Sequence, residues 1–326
     1  MILVLSQEDV HRALPMRQAI EAMKSAFAQL SSGQADAPLR TALDVARHDG
    51  VTLFMPGYLA DDDQMALKIV SVFTDNPAKG LPLIHALVVV VDATTGAPAA
   101  VMDGTYLTAL RTGAASGAAT DLLARQDSRT AAIFGAGAQG RTQLEAICAV
   151  RPIEKAWVYD LATVQAEAYA AEMSERLSLP VHVAETPAEA VRRADVICTA
   201  TTSCEPVFDD GDVRPGAHIN AVGAYTPQMQ EIPAETVLRA KVVIDHHEAS
   251  LAEAGDLLIP LQQGLMTEEH IYAELGEIAA GRKPGRETEE EITLFKSVGV
   301  AVQDVAAAGA VLEAAQRRGL GTEAAL

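Results

Sequence analysis

A glycine-rich loop between a strand and a helix restricts the fold of this chain more than any other feature. Residues 130–135 form the apolar run TAAIFG, and a helical pattern follows the loop as far as Ala149. The loop itself, residues 135–140, is GAGAQG, the G-x-G-x-x-G pattern of dinucleotide-binding proteins. In that pattern Gly135 permits a tight turn, Gly137 lets the backbone approach a pyrophosphate, and Gly140 lets the helix pack on the strand.

An acidic residue follows this pattern at the place where a dinucleotide site needs one. Asp160 stands twenty residues after Gly140, at the end of the next predicted strand, KAWVYD. A carboxylate there accepts hydrogen bonds from the ribose hydroxyls of the adenosine half, and it would repel the 2′-phosphate of NADP. No arginine accompanies it at that strand end. The sequence therefore predicts a site that prefers NAD(H), with NADP(H) as the alternative.

Strands and helices alternate through the rest of this region, which is typical of a parallel, doubly wound sheet. We therefore expect an α/β protein whose nucleotide domain is of the Rossmann type. The predicted strands are TAAIFG, KAWVYD, VHVAE, DVICTAT, HINAVG, KVVIDH and ITLFKSVG, and the predicted helices include residues 164–177, 188–194 and 268–280.

The N-terminal part of the chain follows a different pattern. Residues 6–30 carry apolar side chains at helical spacing and predict two short helices. Four β-rich runs follow, TALDV, VTLFMPGYL, MALKIVSVF and HALVVVVD, with connections too short for crossover helices. These runs predict antiparallel or mixed strands. A further strand in TGAPAAVMDG leads to a helix rich in small residues, YLTALRTGAASGAATDLL, and residues 301–318 form a last long helix.

Length and composition narrow the classes of protein. A chain of 326 residues favours two domains, and a net charge of −19 without a basic stripe argues against nucleic-acid binding. No apolar stretch is long enough to cross a bilayer, and the start MILVLSQEDV lacks the basic residues of a secretion signal. Cys148, Cys198 and Cys204 lack the spacing of zinc ligands, and we interpret each as a small buried side chain. We expect a cytoplasmic protein without a membrane segment.

Three cationic residues in the N-terminal part are candidates for binding an anionic substrate. Lys68 interrupts the apolar run MALKIVSVF, where a lysine needs either a partner or an outward-facing position. Arg111 lies on the small-residue helix and could bind a carboxylate or phosphate bidentately, or form a structural ion pair. Arg40, which follows APL in a predicted loop, could equally be a solvated side chain.

Two further residues are candidates for lining a pocket. His85, within LPLIHALVVV, points either into a cleft or into the core as a hydrogen-bonded histidine. Tyr225 follows the strand HINAVG, and ligands bind at the carboxyl ends of strands in open α/β sheets. His246 and His247 have no cysteine or carboxylate at ligand spacing, so we expect no metal site.

The chain resembles the ornithine cyclodeaminase/mu-crystallin family over essentially its whole length. The matching segments are ALKIV, VMDG, LTALRTGAAS, GAGAQG, PGAHINAVGA, ELGE and FKSVGVAVQD, in that order. The resemblance implies a homodimer with a discontinuous substrate-binding and dimerisation domain, residues 1–115 with 302–326, and an NAD-binding domain, residues 116–301.

The resemblance also implies roles for individual residues. Arg40 and Lys68 would hold the carboxylate of a small amino acid or imino acid, with Arg111 close to substrate and cofactor. Asp304 matches an acid of the family, with a helix cap or an ion pair as its alternative role. The expected cofactor-binding residues are Gly135, Gly137, Ala138, Gln139, Gly140, Asp160, Thr201, Val222, Gly223, Ser297 and Val298.

One departure from the family pattern affects the expected reaction. Members similar to ornithine cyclodeaminase carry an acid/base aspartate where this chain has Tyr225, and a threonine where it has Leu83. Without that carboxylate a second ammonium group has no partner and cyclisation has no base. The resemblance therefore favours the ketimine-reductase branch, in which NADH reduces a cyclic or open 2-imino acid such as Δ1-pyrroline-2-carboxylate to an L-amino acid. Either Lys68 or water would supply the proton.

The sequence leaves three other functions as alternatives. They are cyclisation of ornithine to proline with release of ammonia, an amino-acid dehydrogenase of the alanine type, and a non-catalytic mu-crystallin-like binding protein. Retention of Arg40, Lys68 and Arg111 argues against the last, because a pure nucleotide binder has no need of a cationic substrate pocket.

Overall fold

The computed structural model describes residues 1–325, with Pro77 described by its backbone alone. The chain divides into two compact units, Met1–Arg111 with the segment from Val300 onward, and Thr112–Gly299. Within the described residues, no helix combines the length and the apolar character needed to span a membrane.

The first unit is built on a mixed sheet. Its strands lie in the order β16-β1-β7-β6-β5-β4-β2, with β3 also paired to β4, and only the β1 and β7 pair is parallel. The strands are β1 (Ile2–Leu5), β2 (Ala35–Asp36), β3 (Thr41–Val45), β4 (Gly50–Leu59), β5 (Gln64–Phe73), β6 (Ile84–Asp92), β7 (Pro98–Asp103) and β16 (Thr322–Ala324). The helices are α1 (Gln7–Ala13), α2 (Met16–Ser31) and α11 (Ala301–Arg318), and α3 (Gly104–Leu123) begins in this unit and continues into the second.

Helix α11 packs closely on the centre of this sheet. Ala301 at its start shares a core cluster with Met55 of β4 and Val70 of β5. Gly57 of β4 permits the close approach, because a Cβ there would lie 2.9 Å from Val305 Cγ2 and 3.1 Å from Ala301 Cβ. Helix α11 therefore covers the buried face of β5. A polar residue on that face of β5 can be paired only by a polar residue of a neighbouring element such as α11.

The second unit is an all-parallel sheet with helices. Its strand order is β10-β9-β8-β11-β12-β15-β13-β14, so the chain builds outward from β8 in one direction and then returns to place β11 on the other side of β8. This reversal is the topological switch point at which such sheets bind ligands. The strands are β8 (Thr130–Phe134), β9 (Lys155–Tyr159), β10 (Val181–Val183), β11 (Val196–Thr199), β12 (His218–Ala221), β13 (Lys241–Ile244), β14 (Ile271–Glu274) and β15 (Thr293–Lys296). The helices are α4 (Ala138–Val150), α5 (Thr163–Leu177), α6 (Pro187–Arg192), α7 (Ala234–Arg239), α8 (His247–Glu253), α9 (Gly255–Gln262) and α10 (Leu275–Ala279).

The predicted α/β class, the doubly wound parallel sheet and the mixed N-terminal sheet are confirmed. The continuous helix expected over residues 268–280 is wrong, because this stretch contains strand β14 before the short helix α10. Ile271, Leu275 and Ile278 have helical spacing, but parallel pairing of β14 with β13 at the sheet edge prevails over that pattern. Helices α7, α8 and α9 have no counterpart in the sequence-based prediction.

The interpretation of all three cysteines as buried side chains needs correction. Cys198 is fully buried within β11, and Cys148 is partly buried, but Cys204 is exposed in the segment after β11. All three thiols are free. The error arose because burial preference describes the average cysteine and contains no information about a particular loop.

We expect Gly57→Ala to destabilise the first unit. The added methyl group would push α11 from β4, and overpacking of this kind costs about 1–3 kcal/mol. Thermal or denaturant unfolding measures the change. Gly211→Ala is the matched control, since a Cβ at that exposed glycine meets no atom within 4 Å and should leave the midpoint nearly unchanged. Equal midpoints for both variants would contradict the close packing of α11.

Candidate functional site

A buried ion pair joins the central strand of the first unit to its last helix. Lys68 lies on the buried face of β5 between Ala66 and Val70. Its Nζ is 2.7 Å from Asp304 Oδ2 of α11, and both side chains are only 1% exposed. Two charges removed from water in this way need each other, because an unpaired buried charge is strongly unfavourable.

Arg111 of helix α3 binds the same carboxylate. Its Nε donates to Asp304 Oδ1 at 3.0 Å, and its Nη1 donates to Gln303 Oε1 at 2.6 Å. Gln303 Oε1 also accepts from Val300 N at 3.1 Å, which fixes the orientation of the amide. Its Nε2 is buried and has no hydrogen-bond partner among residues 1–325. Asp304 is therefore the common anchor of two cations, beside an amide donor that the described protein leaves unsatisfied.

The electrostatics of this cluster favour an anionic ligand. The pKa of Lys68 falls from 10.5 to about 8, chiefly because burial penalises the ammonium group and next because Arg111 is close. Arg40 lowers the same pKa, whereas Asp304 raises it. Asp304 thus pairs with two cations, and Arg40 adds a third positive charge close enough to act on Lys68. A guanidinium carries five donors and an ammonium three, so the cluster can bind a planar carboxylate while keeping its contacts to Asp304.

The structure brings some of the predicted residues of this unit together and separates others. Lys68 and Arg111 share Asp304, and Arg40, half-buried between β2 and β3, is close enough to act on Lys68. An outward-facing Lys68 is therefore wrong. The interpretation of His85 as a core histidine is also wrong, because it lies exposed on β6, paired with Ser71.

The glycine loop of the second unit has the geometry of a pyrophosphate site. Gly135 has a φ of +100°, and a Cβ at Gly140 would lie 2.2 Å from Gly135 O. Helix α4 begins at Ala138, and no atom lies within 4 Å of where a Cβ of the N-cap residue Gly137 would be. The first-turn amides, including those of Ala138 and Gln139, have no helical acceptor and carry a positive partial charge. Open space beside these donors fits a phosphate group.

Asp160 stabilises the glycine loop and retains capacity for a ligand. Its Oδ2 accepts from Ala136 N at 2.8 Å, and its Oδ1 accepts from Ala162 N at 2.9 Å. Each carboxylate oxygen can accept a second hydrogen bond, so ribose hydroxyls can still bind there. The exposed neighbour Leu161 provides no cation for a 2′-phosphate. The residues present therefore fit the adenosine ribose of NAD.

A second buried carboxylate, missed by the sequence analysis, organises the loops after β11 and β12. Glu231 Oε1 accepts from Thr201 N at 2.6 Å and from Thr201 Oγ1 at 2.8 Å. Its Oε2 accepts from Thr199 Oγ1 at 2.9 Å, Gly223 N at 2.7 Å and Ala224 N at 3.1 Å. The available signal was an acidic residue between the apolar Met229 and Ile232 in MQEI, a pattern that indicates a buried charge with partners.

Glu231 belongs to a wider buried network. Asp256 Oδ1 accepts from the backbone N of Glu231 at 2.7 Å, and its Oδ2 binds Lys296 Nζ at 2.7 Å. All three side chains are fully buried. Burial raises the pKa of Glu231, and the charge of Asp256 raises it further, whereas Lys296 opposes both.

A third carboxylate holds the loop after β15. Asp245, at the end of β13, accepts through Oδ2 from Ser297 Oγ at 2.7 Å, Val298 N at 2.9 Å and Gly299 N at 2.8 Å. Its Oδ1 accepts from His246 N and Ser250 Oγ. The predicted cofactor contacts Ser297 and Val298 therefore lie on a loop whose conformation is fixed by hydrogen bonds to the buried side chain of Asp245.

The remaining predicted residues also lie at the carboxyl edge of this sheet. Thr201 follows β11, while Val222, Gly223 and Tyr225 follow β12. Tyr225 is 39% exposed, as a pocket-lining ring would be, but this exposure also fits a surface side chain. No group of three or more metal-binding side chains occurs in residues 1–325.

Comparison with known proteins gives matches over the whole length. The model of the ornithine cyclodeaminase/mu-crystallin family matches residues 2–319. A Δ1-pyrroline-2-carboxylate reductase of Bacillus cereus is 40% identical over 321 residues, with 98% of each chain covered. The Thermococcus litoralis Δ1-pyrroline-2-carboxylate reductase, solved with NADH and L-proline, is 47% identical with a TM-score of 0.96, covering 99% of this chain and 100% of that one. An archaeal alanine dehydrogenase, solved as a dimer with NAD, is 37% identical with a TM-score of 0.93 over 100% and 99%.

We expect Asp304→Asn to lower the stability of the protein by about 3 kcal/mol, because it leaves two buried cations without their counter-ion. Unfolding in urea at pH 7 measures the loss. Glu313→Gln, which removes an exposed ion pair with Arg317 on the same helix, is the control and should change the midpoint little. A similar small change in both variants would show that Asp304 does not neutralise the cluster.

Proposed function

Since this chain belongs to the ornithine cyclodeaminase/mu-crystallin family, we propose that it is an NADH-dependent oxidoreductase that reduces a small 2-imino acid to the L-amino acid. Its leading candidate substrate is the cyclic imine Δ1-pyrroline-2-carboxylate, and the product is then L-proline. The observation that carries this proposal is the buried cluster of Lys68 and Arg111 on Asp304, because two cations that share one carboxylate retain donors for the carboxylate of a substrate.

The protein side of the reaction follows from this cluster. Lys68 and Arg111, with Arg40, bind the substrate carboxylate and so fix the position of the adjacent C=N carbon. NADH supplies a hydride to that carbon, a proton goes to the nitrogen, and NAD+ and the amine are the products. We assign the transferable proton to Lys68, since burial lowers its pKa to about 8 and so brings it closer to neutral pH than that of an exposed lysine. Positioning of this kind contributes much of the rate acceleration.

The cofactor assignment is supported by the glycine loop and Asp160, whose residues fit NAD. The comparison structures with NADH and with NAD support it further. The residues we assign to cofactor binding are those at the carboxyl edge of the parallel sheet, namely Gly135, Gly137, Ala138, Gln139, Gly140, Asp160, Thr201, Val222, Gly223, Ser297 and Val298. NADP(H) remains the second candidate cofactor.

The identity of residue 225 favours imine reduction over cyclisation of a diamino acid. A tyrosine cannot neutralise a distal ammonium group or act as a carboxylate base, and Tyr225 holds that position here. Oxidative deamination of alanine is the second candidate, because the archaeal alanine dehydrogenase covers essentially this whole chain. Both reactions transfer a hydride to the C=N carbon of an imino acid, which is the substrate itself in imine reduction and is formed from pyruvate and ammonia in the alanine dehydrogenase reaction.

We further propose that the protein is a cytoplasmic homodimer. Leu43, Leu81, Leu83, Ile84 and Leu87 are exposed at one end of the first sheet, where an apolar surface of this kind is typical of an interface. The archaeal alanine dehydrogenase is a dimer, which supports the same assembly. Three free cysteines are consistent with a reducing compartment.

A substrate panel tests the proposal directly. Oxidation of NADH or NADPH is followed by absorbance with Δ1-pyrroline-2-carboxylate, Δ1-piperideine-2-carboxylate, and pyruvate with ammonia, and ammonia release is followed with L-ornithine. Turnover of a cyclic imine with NADH supports the proposal. Activity confined to pyruvate with ammonia would favour the alanine dehydrogenase alternative. Release of ammonia from ornithine without a net change in NADH would favour the cyclodeaminase. No turnover of any substrate would favour a binding protein.

We expect Lys68→Met to lower kcat/KM for the imine about a hundredfold or more, because a buried partner of the substrate carboxylate is lost. The Kd for NADH, measured by fluorescence, should stay within about twofold, since the glycine loop is unchanged. Lys24→Met, at a lysine paired with Glu21 on helix α2, is the control and should retain activity. A fully active Lys68→Met enzyme would remove Lys68 from the mechanism.

Binding of a carboxylate ligand should weaken above about pH 8. Lys68 binds an anion only when protonated, so affinity is constant below its pKa and falls about tenfold per pH unit above it. Pyrrole-2-carboxylate is a suitable probe because its ring nitrogen does not titrate near neutral pH. Calorimetry of the NADH complex from pH 6 to about 10 measures the profile. A wild-type profile as flat as that of Lys68→Met would contradict the assignment.

A further inference from the structure

The buried carboxylate of Glu231 has no role in the proposed reaction, yet it accepts an unusually large number of hydrogen bonds. It accepts five hydrogen bonds, from Thr199, Thr201, Gly223 and Ala224, and three of these come from backbone amides. Burying a carboxylate costs free energy unless several hydrogen bonds compensate for the lost water. A buried carboxylate with many donors therefore holds those donors in one geometry. Because each donor belongs to the end of β11 or β12, the residue fixes the relative position of these two loops.

The loop after β11 is in direct contact with the glycine turn. A Cβ at Gly135 would lie 2.5 Å from Ala200 O and 3.4 Å from Thr201 Cγ2. Ala200 N also donates to Phe134 O at 2.9 Å. The strand order places the switch point between β8 and β11, so these two loops border the crevice in which a dinucleotide binds. Ala200 and Thr201 therefore lie directly beside the Gly135 turn.

The contact at Gly223 shows how little freedom the arrangement has. A Cβ at this residue would lie 2.3 Å from Thr201 O and 2.4 Å from Glu231 Oε1. Asp256 holds the backbone N of Glu231 and of Ile232, and Lys296 neutralises part of the buried charge. Asp256 thus fixes the backbone at Glu231, and the Glu231 carboxylate in turn fixes the loops after β11 and β12.

We propose that Glu231 is a positioning residue that holds the loops after β11 and β12, and through Ala200 and Thr201 the Gly135 turn, in the conformation that binds the dinucleotide. This inference rests on the proposed NADH-dependent function. Glu231 is not a catalytic residue, because its two oxygens are occupied by the protein's own donors. It acts by preorganising backbone groups, which lowers the conformational cost of binding the cofactor.

The test compares Glu231→Gln with two other variants. A glutamine amide cannot accept from the donors that face its NH2 group, so we expect the Kd for NADH to rise about tenfold or more. The KM for the imine at saturating NADH should be unchanged. Thr199→Val removes a single hydrogen bond to Glu231 Oε2 without altering side-chain shape, and it should raise the Kd in the same direction by a smaller factor.

Asp195→Asn is the matched control for stability. Asp195 Oδ2 accepts from Arg129 N, Thr130 N and Thr130 Oγ1, so it too joins two strands of this sheet, but at the amino ends of β8 and β11. The variant should lower the unfolding temperature and leave the Kd for NADH unchanged. A rise in Kd equal to that of Glu231→Gln would show a general effect of stability and overturn the proposal.

Each remaining outcome is also decisive. If Glu231→Gln folds and binds NADH as tightly as the wild-type protein, the proposed role is refuted. If Glu231→Gln does not fold, Thr199→Val decides in its place, and an unchanged Kd refutes the role. If the wild-type protein itself fails to bind NADH in the fluorescence titration, the proposed function is overturned together with the role of Glu231.

Discussion

The carboxylate of Asp304 is the contact on which the buried cationic cluster of the first unit depends. It lies on a helix that covers the buried face of β5, and it neutralises both Lys68 and Arg111. Without it, a lysine in the middle of an apolar strand would lose its proton or move out of the core. With it, the strand retains a cation at a position otherwise reserved for an apolar side chain. The cationic cluster therefore depends on the packing of α11 against the sheet.

At the carboxyl edge of the parallel sheet, three carboxylates each accept hydrogen bonds from the backbone of a loop. Asp160 holds the glycine loop, Glu231 holds the loops after β11 and β12, and Asp245 holds the loop after β15. In each case a side-chain carboxylate satisfies backbone amides that a strand end leaves unpaired. Loops fixed in this way can present further amides and glycines to a cofactor without a large entropic cost on binding.

Much of the fold could be predicted from the sequence, because local patterns determine it. The glycine loop, the alternating strands and helices and the last helix, residues 301–318, were all located from periodicity and turn residues. The predictions that were wrong concern residues whose structure depends on neighbours outside the local sequence pattern. Strand β14 exists because β13 lies beside it, and no local pattern indicates that His85 and Cys204 are exposed.

The candidate site was predictable in its residue types and not in its connections. Lys68 and Arg111 were recognisable as unusual cations, but the sequence left Asp304 with several possible roles. Its contact with Arg111 spans 193 residues, which no local pattern can reveal. Glu231 was missed for the same reason, since its donors come from two separate strand ends.

The sequence distance between these partners also determines when the site can form during synthesis. On the ribosome, β5 and α3 emerge long before α11, so Lys68 and Arg111 are synthesised well before Asp304, the carboxylate that they share. The parallel sheet, residues 112–299, is complete by that time and can fold first, as a contiguous stretch of chain. Helix α11 then brings Asp304 to the two cations, so the ion-pair cluster of the first unit forms only after the parallel sheet has been synthesised.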